Sequence, residues 1–191
     1  MALPSTKKQS KRQALLEAAL ELFAEHGLTR ASTAQIAKRA GVASGTLFFH
    51  FNSKEELIHA LFDQVYLEID IAMLHEVEPS MTIQEQMTRL LRNLLRYFLK
   101  HPDQFRFMEQ FHFSSFNTLN RELHTEKGYL RALMLRAREQ HIIKDAPCLS
   151  LEATAFGPIV ALAKEHANRG TLIDERTFES TIEACWDALK R

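Results

Sequence analysis

Between Lys11 and His26 the apolar residues Leu15, Leu16, Ala19, Leu22 and Phe23 recur at three- and four-residue spacing, while Glu17, Glu21 and Glu25 return every four residues. That alternation describes a helix with one buried and one wet face, and Gly27 is placed to cap its C-terminus. Residues 1–9 carry no such pattern and are expected to fray. The pattern then shortens in residues 32–57, STAQIAKRAGVASGTLFFHFNSKEEL. Ser32 with Gln35 forms a capping box, and Ile36, Ala37 and Ala40 share one helical face. Gly41 suits a left-handed turn. Val42 and Leu47 can plug the angle between this helix and a second one over Ser44–His50. Two short helices at a sharp angle are the layout of a helix-turn-helix, whose second helix enters the DNA major groove.

Ser53-Lys54-Glu55-Glu56 opens a longer helix with a second capping box. Its apolar period continues to about Val77, roughly 36 Å at 1.5 Å per residue, so it can link the N-terminal head to whatever follows. Glu78-Pro79-Ser80 breaks it, and Thr82-Ile83-Gln84-Glu85 caps a helix to about Lys100. Further helices are expected over about Asp103–Ser115, Leu119–Gln140, Ser150–Asn168 and Asp174–Leu189. The period predicts an all-α chain of about nine helices: a three-helix head over residues 1–53 and a larger helical body over residues 54–191.

Formal net charge is zero, but its distribution is uneven: residues 1–54 hold eight Lys and Arg against three Glu, a net of +5, and the remainder carries −5. A basic head on an acidic body is what a phosphate-facing end requires. Lys7, Lys8, Lys11 and Arg12 can lie along a phosphate strand. Two cysteines, 148 and 185, stand far apart without metal spacing, the usage of a reduced, cytoplasmic protein. No apolar run suits a signal peptide or a membrane span.

The string Ile36-Ala37, Ala40-Gly41-Val42, Gly45-Thr46-Leu47-Phe48, Phe51, Lys54-Glu55 and Leu57 resembles the DNA-binding domain of TetR-type transcriptional regulators over roughly residues 10–60. The wording of residues 32–48 is similar to the RamR-like branch of that family. The resemblance implies a dimer that binds a double-stranded operator and releases it when a small ligand enters the body. It further implies DNA contacts from Thr33, from Ser44, Gly45 and Thr46, from an aromatic near Phe48, and from His50 and Lys54. Read directly, the outward side of the second helix offers Ser44, Gly45, Thr46, Phe49 and His50; Gln35 and Ala43 flank it and complete the candidate set. Ser and Thr hydroxyls serve phosphates or base edges, and an aromatic such as Phe49 packs on a thymine methyl or into the protein. Two departures stand out. Phe48 stands where the family commonly has Tyr, and Ala43 where it commonly has the capping Ser, a role Ser44 could take over.

In the body, six of the thirteen Phe fall between Phe98 and Phe116. Phe105 and Phe111, with Phe62 and Tyr66 on the long helix and Phe156 before Gly157-Pro158, are the candidate lining of a pocket for an apolar or aromatic effector; the alternative is that they are core. Val160, Ala163, Lys164 and Ala167 with Phe178, Ile182 and Trp186 form seams on the last two helices, for a homodimer contact or for packing within the chain. Nine His are scattered without metal spacing, and no nucleophile elbow or phosphate loop appears. No catalytic residue, metal or other cofactor is expected. The expected function is a DNA-binding repressor controlled by a small ligand; a regulator without a small-molecule effector, or an activator, is the alternative.

Overall fold

The computed structural model describes residues 4–118 and 128–191. Among these are nine α-helices and no strand: α1 Pro4–His26, α2 Thr33–Arg39, α3 Ser44–His50, α4 Lys54–Met73, α5 Ile83–Lys100, α6 Pro102–His112, α7 Tyr129–Glu139, α8 Cys148–Arg169 and α9 Glu175–Leu189. A 3-10 turn, Ser115–Thr118, follows α6. The all-α architecture read from the period holds. One boundary is corrected: α1 starts at Pro4, so its helix continues through residues expected to fray. The segment from Leu119 that was expected to open α7 lies outside the described residues. None of the described helices is long and apolar enough to cross a membrane.

The chain folds as two compact units. The first holds residues up to 67 and 106–118, so its boundaries fall inside α4 and α6. Leu15, Leu16, Ala19 and Phe23 of α1 bury against Ile36, Ala37, Leu47 and Phe51. The boxes predicted at Ser32 and Thr82 form as read. Ser32 accepts from the Gln35 N–H while the Gln35 side chain reaches back. Beyond α2, Gly41 takes φ 68°, and Val42 N–H donates to Ala37 O at 3.0 Å. Arg39 of α2 pairs with Glu21 at 2.9 Å and Glu25 at 3.3 Å on α1, locking the two helices together at the surface. The guanidinium beside Glu25 holds that carboxyl below its ordinary range.

One capping box differs from the reading. Ser53 Oγ does accept from Glu56 N–H at 3.1 Å. The Glu56 carboxylate, however, takes Asn52 N–H at 2.8 Å and the Asn52 side-chain amide at 2.7 Å rather than the Ser53 backbone. Asn52 presents two donors to one oxygen, which a lone Ser53 N–H does not.

The last two turns of α6 belong to this first unit. Phe107 stacks on Phe23 at 6.1 Å, and Phe111 stacks on Phe62 at 4.1 Å. Gln110 joins the end of α1: its amide donates to Phe23 O at 3.0 Å and its oxygen accepts from Leu28 N–H at 3.1 Å. Phe23 O also accepts from Gly27 N–H at 2.9 Å, whereas Leu28 N–H, just past the helix end, is closed by a side chain from 82 residues away.

The second unit comprises residues 68–105 and the chain beyond 118, as far as it is described. Met87, Leu90, Leu91, Leu94 and Leu95 of α5 bury with Leu151, Ala155, Ile159 and Ala163 of α8 and Phe178, Ile182 and Cys185 of α9. Arg92 grips Glu179 of α9 through two N–H donors, and Arg96 lies over the Phe178 ring at 5.6 Å. Helix α4 stops at Met73, a turn short of the expected Val77. The reason is tertiary. Buried Asn93 of α5 donates to Met73 O at 3.1 Å and His75 O at 2.7 Å, taking carbonyls that another turn would use. Glu76 then turns left-handed at φ 55°, held by Arg89 at 2.9 Å. Helix α8 runs through Gly157-Pro158.

Candidate nucleic-acid interface

Helix α3 is anchored from below and open from above. Leu47 is completely buried, and Phe51 closes the far end under the Arg12 guanidinium, 5.2 Å from the ring. The N-cap is Ala43, with no side-chain bond, so Ser44 does not take over the capping role. Ser44 and Gly45 are exposed, as are Phe48, at 53%, and Phe49, at 69%. A Cβ built on Gly45 would meet nothing within 4 Å, so the helix surface there is flat and open. Thr46 and His50, expected on the outward side, are instead half-buried. The His50 ring meets Phe49 edge-on at 5.3 Å and leans on Phe51 at 6.4 Å. Leu47 fixes one face of this seven-residue helix against the core, and the side carrying residues 46 and 50 is the more covered of its two flanks.

The flanking candidates divide in the same way. Thr33 is half-buried at the start of α2. The Gln35 oxygen is occupied by Ser32, at 2.8 Å from its N–H. Lys54 carries a structural task that sequence reading missed. Its ammonium donates to Thr29 O at 3.1 Å and sits 5.9 Å from the Phe23 ring centre. Burial pushes its pKa down, partly opposed by the neighbouring Glu55 carboxylate. The backbone oxygen of residue 29 leaves no signal in a one-dimensional reading. Arg39 is likewise spent on Glu21 and Glu25, whereas Lys11, Arg12, Arg30 and Lys38 are exposed.

In the rest of the molecule, Phe62, Tyr66 and Phe111 form one aromatic cluster, with Tyr66 5.8 Å from Phe62. Phe105 is buried edge-on to Phe98 at 5.2 Å, and Phe156 is half-buried on α8. A polar group that the sequence did not single out stands in the second unit. Gln104 donates to Glu68 at 2.7 Å, and the Tyr97 hydroxyl reaches the same carboxylate at 3.3 Å. Burial, then the Glu68 charge, raises the Tyr97 pKa well above its ordinary value. These three residues come from three helices, which is why no spacing revealed them. Of the residues expected at a dimer seam, Ala163, Ala167, Phe178, Ile182 and Trp186 are buried within the single chain, the alternative that periodicity left open. Val160 and Lys164 stay exposed. Outside them, Pro158, Arg176, Thr177, Ser180, Thr181 and Ala184 line an open groove of about 350 Å³. Among the described residues no cluster of His, Cys, Asp or Glu could hold a metal ion.

A buried-Leu helix with an exposed outer face, set on a capped partner helix in a basic head, defines a helix-turn-helix DNA-binding protein. The comparisons agree. The family model for bacterial regulatory proteins of the tetR family matches residues 15–61, and that for the tetracyclin repressor-like C-terminal domain matches residues 82–190. The chain belongs to the TetR family of transcription regulators. A crystal structure of a TetR family transcription regulator from Marinobacter aquaeolei VT8 superposes with a TM-score of 0.88 at 28% identity, over 97% of this chain and 98% of that one. Among curated relatives, the fatty acid metabolism regulator protein of Bacillus subtilis is 30% identical over 84 residues, 44% of this chain and 43% of its own. The HTH-type transcriptional regulator TtgR of Pseudomonas putida is 41% identical over 58 residues, 30% of this chain and 28% of its own. The chain thus spans less than half the length of these curated relatives.

Proposed function

We propose that this chain is a homodimeric repressor that leaves its operator when a small apolar or aromatic ligand binds the C-terminal body. The observation that carries the DNA half is the outer face of α3, where Ser44, Gly45, Phe48 and Phe49 stand exposed beside a basic surface while Leu47 holds the helix to the core. Within the family, the wording of residues 32–48 is our ground for the RamR-like branch.

Dimerisation follows from the geometry of half-sites, which lie about 34–36 Å or a multiple apart and need two recognition helices. The contact we assign is the outward side of α8 and α9. It presents Ala153, Gly157, Val160, Ala161 and Lys164 beside Thr177, Ser180 and Ala184, small side chains that let two helix pairs approach closely. Ligand control requires different ligand affinity in the DNA-competent and incompetent states. The effector site we assign to the aromatic side chains around Phe62 and Phe111, and around Phe98 and Phe105, is filled by these rings packing on one another, so an apolar or aromatic ligand enters by parting them.

The test is a gel shift on DNA from the chain's own promoter region, with excess non-specific competitor. A discrete shift, weakened in Lys38→Ala at unchanged fold, supports operator binding. Compounds that raise the melting temperature and abolish the shift support ligand release. A shift that no stabilising compound reverses points to a regulator without a small effector, and the lack of any shift on promoter or randomised DNA overturns the reading.

A further inference from the structure

Resting on the operator-binding reading, we infer that α3 selects its DNA chiefly by apolar contact with thymine C5-methyl groups, through Phe49 with Phe48 beside it. Residues four apart stack in rows along a helix. In α3 the rows are Ser44 with Phe48, Gly45 with Phe49, and Thr46 with His50. The third row, which carries most of the hydrogen-bonding capacity, is half-buried. The first two rows are exposed and hold two phenyl rings, a glycine and a single hydroxyl.

This face is poor in donors and acceptors for the pattern of base edges in the major groove. The one major-groove feature that rewards an apolar side chain is the thymine methyl group. Gly45 adds to the fit: with nothing near its Cβ position, the surface one turn below Phe49 is flush, so the ring is the protruding feature. The His50 ring set edge-on at 5.3 Å limits how the Phe49 ring can turn. A large apolar ring kept in water on a helix bounded by buried Leu47 and Phe51 is not part of the core.

The experiment selects duplexes for the full-length chain from a randomised pool and then replaces each enriched thymine singly with uracil, which lacks only the methyl group. Burial of one methyl is worth about a fourfold change in affinity. Expected are at least one thymine per half-site where uracil weakens binding about three- to fivefold, and a Phe49→Ala protein that binds more weakly and is indifferent to that change. Both phenyl rings are exposed, so Phe49→Ala and Phe48→Ala should melt with the unsubstituted chain. Equal binding of thymine and uracil duplexes at every position overturns the inference while operator binding stands. So does a uracil penalty that survives in both variants. If no sequence is enriched at all, the operator reading itself fails, and the inference with it.

Discussion

Gln110 shows how one side chain can settle the end of a helix. Its two polar atoms close Phe23 O and Leu28 N–H, the exit of α1, with Gly27 at φ 90° between them. The Gly27 Cβ position is 3.7 Å from Gln110 Oε1, an ordinary contact, so it is the positive φ that calls for glycine there. Replacing Gln110 with Leu leaves Leu28 N–H unpaired while Phe23 O keeps the Gly27 N–H, and the expected loss is about 1–3 kcal/mol in urea unfolding. Gln110→Glu still accepts from Leu28 but cannot donate to Phe23, so its loss should be the smaller of the two. Equal stability in all three proteins would show that water replaces the amide at no cost.

Helix termini carry much of the element-scale specification. Asn93 ends α4 by taking the Met73 and His75 carbonyls, and its burial means that no bulk water stands ready to replace it. Asn93→Ala is expected to cost about 1–3 kcal/mol and to speed amide exchange in the last turn of α4, read by hydrogen-exchange mass spectrometry. The caps also set a pH dependence. Bonds from Thr82 lower the Glu85 pKa below its ordinary 4.5, and those from Thr177 lower Asp174 below 3.8. A carboxyl lowered in the folded state contributes stability that is present above its ordinary pKa and lost as pH falls through the folded value. Near neutral pH these groups contribute no slope, and melting temperature should fall below about pH 4 as they take up protons. In Glu85→Gln part of that acid slope should disappear; an unchanged slope would place the acid sensitivity elsewhere.

For the whole molecule, a neutral total charge conceals a basic head. The ion pairs of Arg39 with Glu21 and Glu25 withdraw one cation and two anions from the field that DNA meets. Operator affinity should fall steeply with salt, with a log–log slope of about 0.9 for each phosphate neutralised. Arg30→Ala or Lys38→Ala is expected to reduce that slope by about one per half-site contact, and Arg39→Ala to leave it nearly unchanged. Assembly gives a second check at this scale. Val160→Glu adds a charge on the outward side of α8, and the expected outcome is a folded monomer by sedimentation, with operator binding lost.

Apolar period and local capping determined the class of this protein: helices α1 to α3, the boxes at Ser32 and Thr82 and the left-handed Gly41 depend on neighbours within about five residues, so the sequence contains them. The family string lies in the same stretch and was legible for the same reason. Tertiary structure alone decided the rest. Whether Phe178, Ile182 and Trp186 face a partner or the chain's own core depends on α5 lying against them, and periodicity marks an apolar face without naming what covers it. The shortening of α4 by Asn93, the capture of Lys54 by Thr29 and the approach of Tyr97 and Gln104 to Glu68 join residues 18 to 36 positions apart. At α3, composition supplied the candidate residues, but only the packing of the whole helix on its neighbours decided which of them face outward, because a helix this short is oriented by what it packs on.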